Sequence, residues 1–202
     1  LCGFSKYEIV RDSFVHMQFI RVGRLYMNKA EIKKVIRLEK SLTLGNTSLG
    51  HILKLVVTRH PAWMRYKYVK YMRLADCSNS IFHYIYEIKK NRLGLKLGYE
   101  INARNIGSGM TLYHNGPIVI NGASIIGQNL VLHGDNCIGN DGISELCPMI
   151  GNNVELGVGV KILGGIQIAN DVVIGAGAIV VSDVLVEGAV VTGVPGKIKK
   201  IK

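Results

Sequence analysis

Between residues 99 and 202 two side chains ordinarily titrate near neutral pH, His114 and His133. An imidazole at such a pH can take the proton of a hydroxyl as that oxygen attacks, which is the work of a general base. A zinc centre on the same stretch would need three histidines around the ion, and only these two are present. The four cysteines, Cys2, Cys77, Cys137 and Cys147, form no CxxC pair, so they read as reduced thiols rather than metal ligands or a disulfide framework. Glycine-rich pieces such as Gly157-Val158-Gly159 lack the strand-then-helix context of a phosphate loop and read as corners of the backbone.

The elements that hold these groups follow from an unusual period. From Ile106 onward an aliphatic residue returns every six positions: Ile106, Leu112 and Ile118, then, after a slip of two beside Pro117, Ile120, Ile126, Leu132 and Ile138. The phase resumes at Ile150 and runs through Leu156, Ile162, Ile168, Ile174 and Val180 to Val186. A second apolar position falls four residues after many of these, as at Leu130, Val154, Val160, Ile166, Val172, Ala178, Val184 and Val190. Neither a helical nor a simple strand period explains the pattern. A six-residue repeat is that of a β-helix with three short strands per coil, the aliphatic pointing into a narrow core and Gly, Asn or Asp turning each corner. The segment Asn140 to Met149 skips a turn and carries Ser144 where an aliphatic is due, so it reads as a loop leaving the coil.

Residues 1–98 read differently. Glu31 to Lys40, with Ile32, Val35, Ile36 and Leu38 toward one face, predicts a helix. So do Trp63 to Leu74 (Trp63, Tyr66, Val69, Tyr71, Met72) and Ser80 to Arg92 (Ile81, Tyr84, Ile85, Ile88), the latter with Ser78 or Ser80 as cap. Gly45-Asn46-Thr47 and His60-Pro61 read as turns, and Gly94 and Gly98 mark the hand-over to the coils. The chain thus divides into a basic α-helical N-terminal domain, 1–98, and a left-handed parallel β-helix domain, 99–202. The net charge of +11 is unevenly placed: 19 Lys and Arg against 6 Asp and Glu give +13 in the first part, and 6 against 8 give −2 in the second. Such a surface suits phosphate-bearing partners, yet a solvated helical face explains it as well, and no nucleic-acid motif accompanies it. The longest apolar runs fall far short of the ~20 residues of a membrane span, and Lys6, Glu8, Arg11 and Asp12 interrupt any leader pattern at the start.

The segment Leu112-Tyr113-His114-Asn115-Gly116-Pro117-Ile118-Val119-Ile120 resembles the histidine segment of serine acetyltransferases and of their relatives in polysaccharide gene clusters. Ile174-Gly175-Ala176-Gly177-Ala178 and Gly193-Val194-Pro195-Gly196-Lys197 resemble the coenzyme-binding coils and the closing segment of the same hexapeptide-repeat acyltransferases. The resemblance covers residues ~80 to 202 well and implies an O-acetyltransferase that uses acetyl-CoA as co-substrate, with no metal. It implies His114 as general base and makes Glu100, near the place of the family's aspartate, the candidate orienter, although the stretch from Glu100 to Ile106 is one residue shorter than theirs. Tyr113, Asn115, His133 and Cys147 are the candidates around the acceptor; His133, which a coil of 18 residues plus the slip of two brings beside His114, does not match the family's histidine segment and is a rival base. The coenzyme would meet Gly139, Val158, Gly175 and Ala176 along a groove between subunits, with Lys197 and Lys200 near its phosphates.

The departures concern the acceptor. Tyr113 stands where the serine enzymes have an aspartate, and Leu146-Cys147-Pro148 where they have Arg-His-Pro. Loss of both charged groups favours an uncharged sugar hydroxyl, of a surface polysaccharide or its precursor, over free serine. Serine O-acetyltransferase stays open, and a non-catalytic basic binding protein lies behind both. The expected assembly is a homotrimer or a pair of trimers in the cytoplasm, without nucleic acid.

Overall fold

The computed structural model describes residues 29–45, 47–78, 81–102 and 104–201. The readings made on residues 1–28, Cys2 among them, and on Ser80 lie outside these. Four helices come first: α1, Lys29–Leu44; α2, Leu49–Val57; α3, Pro61–Cys77; and α4, Ile81–Leu97. The expected turn at His60-Pro61 is instead the start of α3, with His60 as N-cap accepting from the Ala62 N–H and Pro61 in the first turn, where its missing N–H costs nothing.

Two helix faces differ from the expected ones. In α1 the buried positions are Ile32, Val35, Glu39 and Leu44, while Leu38 is exposed, because seven residues on from Ile32 stands Glu39 and α3 supplies its counter-charge. In α4 the expected core face of Ile81, Tyr84, Ile85 and Ile88 is turned outward, and Lys90, Gly94 and Leu97 are buried instead. Gly94 decides this rotation: a Cβ there would stand 2.6 Å from the Tyr99 carbonyl oxygen, so only glycine lets the helix lie so close to the first strand. The aromatics between α3 and α4 pack as helix core, as Tyr71 on Tyr86 at 6.2 Å shows.

Residues 99–201 form the expected left-handed parallel β-helix. The first sheet stacks Tyr99–Ile101, Ile118–Ile120, Asn136–Gly139, Lys161–Leu163 and Ile179–Val180. The second stacks Ile125–Ile126, Met149–Ile150 and Gln167–Ile168. The third stacks Thr111–Leu112, Val131–Leu132, Glu155–Leu156, Val173–Ile174 and Ala189–Thr192, and Lys197–Ile201 closes it antiparallel. The repeat aliphatics from Ile106 to Val180 are the core, none more than 3% exposed. At the end the phase breaks: Val186 is 39% exposed and Val190 half-buried, while Ala189 and Val191 take the interior. The last coil is shorter, since Val191 pairs with Ile174 seventeen positions earlier. Outside the core, Asn129, Asn153 and Asp171 stand at left-handed corners (φ 58, 57 and 60°), and their side chains join in a ladder of 2.8 and 2.9 Å hydrogen bonds.

The helices are fastened to the first coil by one buried pair. Glu39 and Arg73, 1% and 2% exposed, meet at 2.7 Å. Arg73 also donates to the carbonyls of Ile106 and Gly107, and Glu39 accepts from the Met110 N–H. Removing one partner leaves an uncompensated buried charge. Arg73→Met or Glu39→Gln is therefore expected to lower unfolding stability by about 3–5 kcal/mol. The double variant Arg73→Met/Glu39→Leu should regain only part of that loss, since the Ile106 and Gly107 carbonyls and the Met110 N–H lose their partners, as read by urea denaturation.

Beside this clamp α3, α4 and the first coil enclose a cleft of about 380 Å³ lined by Asp76, His83, Glu87, Lys90 and Arg104. Asp76 keeps solvent contact at its mouth but is ringed by protein. Burial pushes its carboxyl up to about 6 against the pull of Arg73, Lys90 and Arg104. The folded chain therefore holds this proton to higher pH than the unfolded chain, and stability falls as pH rises from about 4 to 6. Asp76→Asn should flatten the curve across that window and raise stability at pH 7, measured by denaturant midpoints at a series of pH values.

Candidate active site

His114 stands at the corner where the third sheet passes to the first, just after strand Thr111–Leu112. Its imidazole is exposed and makes no hydrogen bond to another described residue. Its backbone, by contrast, is held from three sides. The Tyr99 hydroxyl donates to the His114 carbonyl at 2.7 Å, Arg65 of α3 donates to the Asn115 Oδ1 at 3.1 Å, and the Gly116 N–H donates to the Leu97 carbonyl at 2.9 Å. Burial pushes the Tyr99 phenol up, so it keeps the proton it donates. Tyr99 is set in turn by Tyr68 of α3, whose ring meets it edge-on at 5.2 Å and whose hydroxyl accepts from the Ile101 N–H.

The slip of two residues beside Pro117 fixes what lies on the next coil. Leu112 pairs with Leu132, so Tyr113 falls over His133 and His114 over Gly134. The rings of Tyr113 and His133 stack at 4.8 Å with 10° between their planes. A Cβ on Gly134 would lie 3.5 Å from the His114 Cβ, at a φ of 120° that favours glycine. His133 Nε2 lies 2.8 Å from Glu155 Oε1. The corner is locked by the buried Asn136, which accepts from the Gly134 N–H and donates to the Gly157 carbonyl. Glu155 and Asn136 were not singled out from sequence. Their partners lie 22 and 21 residues away, and only the coil register, with the length of the 140–149 loop counted in, brings them together.

The same edge continues upward. The position after next from each third-sheet strand runs His114, Gly134, Val158, Ala176 and Gly193, and beside it runs Tyr113, His133, Gly157, Gly175 and Thr192. Four steps of about 4.8 Å make an edge of roughly 19 Å. Its upper part is backbone: a Cβ would stand 2.7 Å from the Ala176 nitrogen at Gly157 and 2.9 Å from the Thr192 methyl at Gly175. Lys197 pairs with Thr192 at the top of this edge, whereas Lys200 pairs with Val190 farther along the closing strand.

Three expected residues lie elsewhere on the chain. Gly139 and Cys147 belong to the other corner, between the first and second sheets, where the 140–149 loop leaves. Glu100 points outward from the first strand in register with Val119, and it makes no hydrogen bond with His114. Among the described residues no group of three or more His, Cys, Asp or Glu is placed to hold a metal ion, and no helix is long and apolar enough to cross a membrane.

A coiled stack of hexapeptide repeats with a histidine at its corner defines the class: the chain is similar to the hexapeptide-repeat acyltransferases. In sequence it is 41% identical over 107 residues to the colanic acid biosynthesis acetyltransferase WcaB of Escherichia coli K12, covering 52% of this chain and 65% of that protein. It is 36% identical over 133 residues to the serine acetyltransferase of Buchnera aphidicola, covering 59% of this chain and 51% of that enzyme. The chain thus spans less than two thirds of these relatives' length. Soybean serine acetyltransferase shares the fold, with a TM-score of 0.65 at 20% identity over 83% of this chain and 69% of that one. The Neisseria gonorrhoeae enzyme does so with 0.63 at 24%, over 84% and 68%. No known family profile matches the chain.

Among the described residues the hydroxyl of Tyr99 is the single side-chain donor to the His114 carbonyl. Tyr99→Phe should leave the coils intact, cost about 1 kcal/mol of stability, and speed amide exchange at Gly116 relative to Gly127. Hydrogen exchange read by NMR checks it.

Proposed function

We propose that the protein is an acetyl-CoA-dependent O-acetyltransferase whose acceptor is a sugar hydroxyl of a surface polysaccharide or its precursor. The observation that carries this reading is the free imidazole of His114 at the foot of a glycine-lined backbone edge. An extended pantetheine arm fits such an edge: its amides pair with exposed backbone near Val158, Gly175 and Ala176, and Lys197 stands where its phosphates would end. His114 takes the acceptor hydroxyl proton, the oxygen attacks the thioester carbonyl, the carbon–sulfur bond breaks, and the thiolate of CoA leaves and is protonated. Developing charge on the carbonyl oxygen calls for a backbone N–H. Tyr113, Asn115 and His133 surround the acceptor.

The likeness to a colanic acid acetyltransferase and the uncharged Tyr113 support the sugar acceptor. Serine O-acetyltransferase is the second reading, supported by the Buchnera relative and by the folds of the solved enzymes. A trimer would set the corner bearing Gly139 and Cys147 of one subunit against the His114 edge of its neighbour, which accounts for expected site residues standing on two separate corners. Exposed Leu49, Leu53 and Val57 on α2 and Ile81, Phe82 and Ile88 on α4 offer a surface for pairing two trimers. The helices, through residue 98, would then act as a separate domain that caps the coils, in the cytoplasm where acetyl-CoA is made.

The test is thiol release from acetyl-CoA with serine and a panel of free and nucleotide-linked sugars. Acceptor-dependent release should fall by ~10²–10⁴-fold in His114→Ala, and the product identifies the acceptor. Turnover unchanged in that variant would remove His114 as the base, and serine as sole acceptor would remove the sugar.

A further inference from the structure

The fold leaves the His114 ring free and holds the His133 ring. His133 is gripped on two sides, by Glu155 Oε1 at 2.8 Å from Nε2 and by the parallel face of Tyr113 at 4.8 Å. The backbone dictates both contacts. The Tyr113 N–H donates to the Leu132 carbonyl and the His133 N–H to the Leu156 carbonyl, so the three side chains leave three successive coils at fixed spacing. A carboxylate accepts hydrogen bonds and donates none, so Nε2 carries the hydrogen of this contact. In the neutral ring Nδ1 is then a bare acceptor, and it has no partner among the described residues. His133 itself stands one residue before Gly134, over which the His114 Cβ lies on the preceding coil.

One imidazole free to take a proton, beside a second held as a hydrogen-bond acceptor, suits a ligand with two neighbouring hydroxyls. We propose that Glu155 is a positioning residue that fixes His133 in its Nε2–H form, and that His133 Nδ1 accepts a hydrogen bond from the hydroxyl adjacent to the one acetylated. The acceptor class is then a vicinal diol, as on a sugar ring. This rests on the sugar reading above. A free amino acid with one hydroxyl has no diol to offer, and the donor it would bring to Nδ1 is its ammonium instead.

Two measurements on the full chain test the proposal. Long-range proton–nitrogen NMR reports the tautomer of His133: the Nε2–H form in the wild type, retained in Glu155→Gln, whose amide oxygen still accepts, and a mixed form in Glu155→Ala. Kinetics then compare an accepted sugar with its analogue methylated or deoxygenated at the neighbouring hydroxyl. The wild type should favour the diol about three- to tenfold in KM, the worth of one hydrogen bond. Glu155→Ala should erase that preference by raising the KM of the diol, with the effect falling there rather than on kcat or on the KM for acetyl-CoA. An Nδ1–H ring in the wild type, or a preference that survives Glu155→Ala, overturns the proposal even if sugars are acetylated. Transfer to serine alone overturns the sugar reading and the diol with it, whereas the NMR result still decides whether Glu155 fixes the ring.

Discussion

The pair of Glu39 and Arg73 decides where the coils begin. A β-helix hands each backbone hydrogen bond to the next coil, so its first coil has an open edge that something must cover. Here the cover is α1 and α3, and the groups exchanged are charged. Arg73 satisfies two carbonyls of the first coil, at Ile106 and Gly107, while Glu39 satisfies the N–H of Met110. Each charge compensates the other's burial, and both satisfy backbone that would otherwise be orphaned. Water could not replace them at 1% and 2% exposure. The cost of burying two ions is thus tied to a structural task that an apolar pair of equal volume could not perform.

The helix of Arg73 reaches the His114 corner by a second route. Tyr68 and Arg65 lie on α3 with Arg73, and through Tyr99 and Asn115 they hold the corner that bears His114. Helix and coil share a continuous core in which Tyr68, Val69 and Met72 pack with Ile101 and Ile118. The backbone of His114 is therefore placed by the helices as much as by its own strand, while its ring is exposed and makes no hydrogen bond to another described residue.

Much of this was legible because the β-helix repeats a single rule. A core position every six residues names the inside, and the glycines and asparagines between name the corners. The skipped turn at Asn140 and the slip at Pro117 could therefore be placed before any coordinates. The rule fails where the last coil shortens, which exchanges Val186 and Val190 for Ala189 and Val191. It fails differently in the helices. Periodicity shows that a face is apolar, not that it is covered, and the Ile81, Ile85 and Ile88 face of α4 is left uncovered by the described residues. Helix α2 is hard to read from sequence because Leu49–Val57 is only nine residues long, under three turns, and buries a single side chain, Leu55. In α1 the interior position held a glutamate, which no hydrophobic pattern marks.

Residues that act through neighbours were the hardest to see. His114 could be picked out by its segment, but Glu155, Asn136 and Tyr99 have meaning only once the register is known. A shift of the coil by one residue would turn Glu155 inward and Leu156 outward, which the alternation of the strand forbids. The burial of Leu132, Leu156 and Ile174 in one column therefore fixes where Glu155 stands, and through it the ring of His133. The apolar core sets the polar geometry of the corner: Glu155, His133 and Asn136 are placed by the side chains that exclude water.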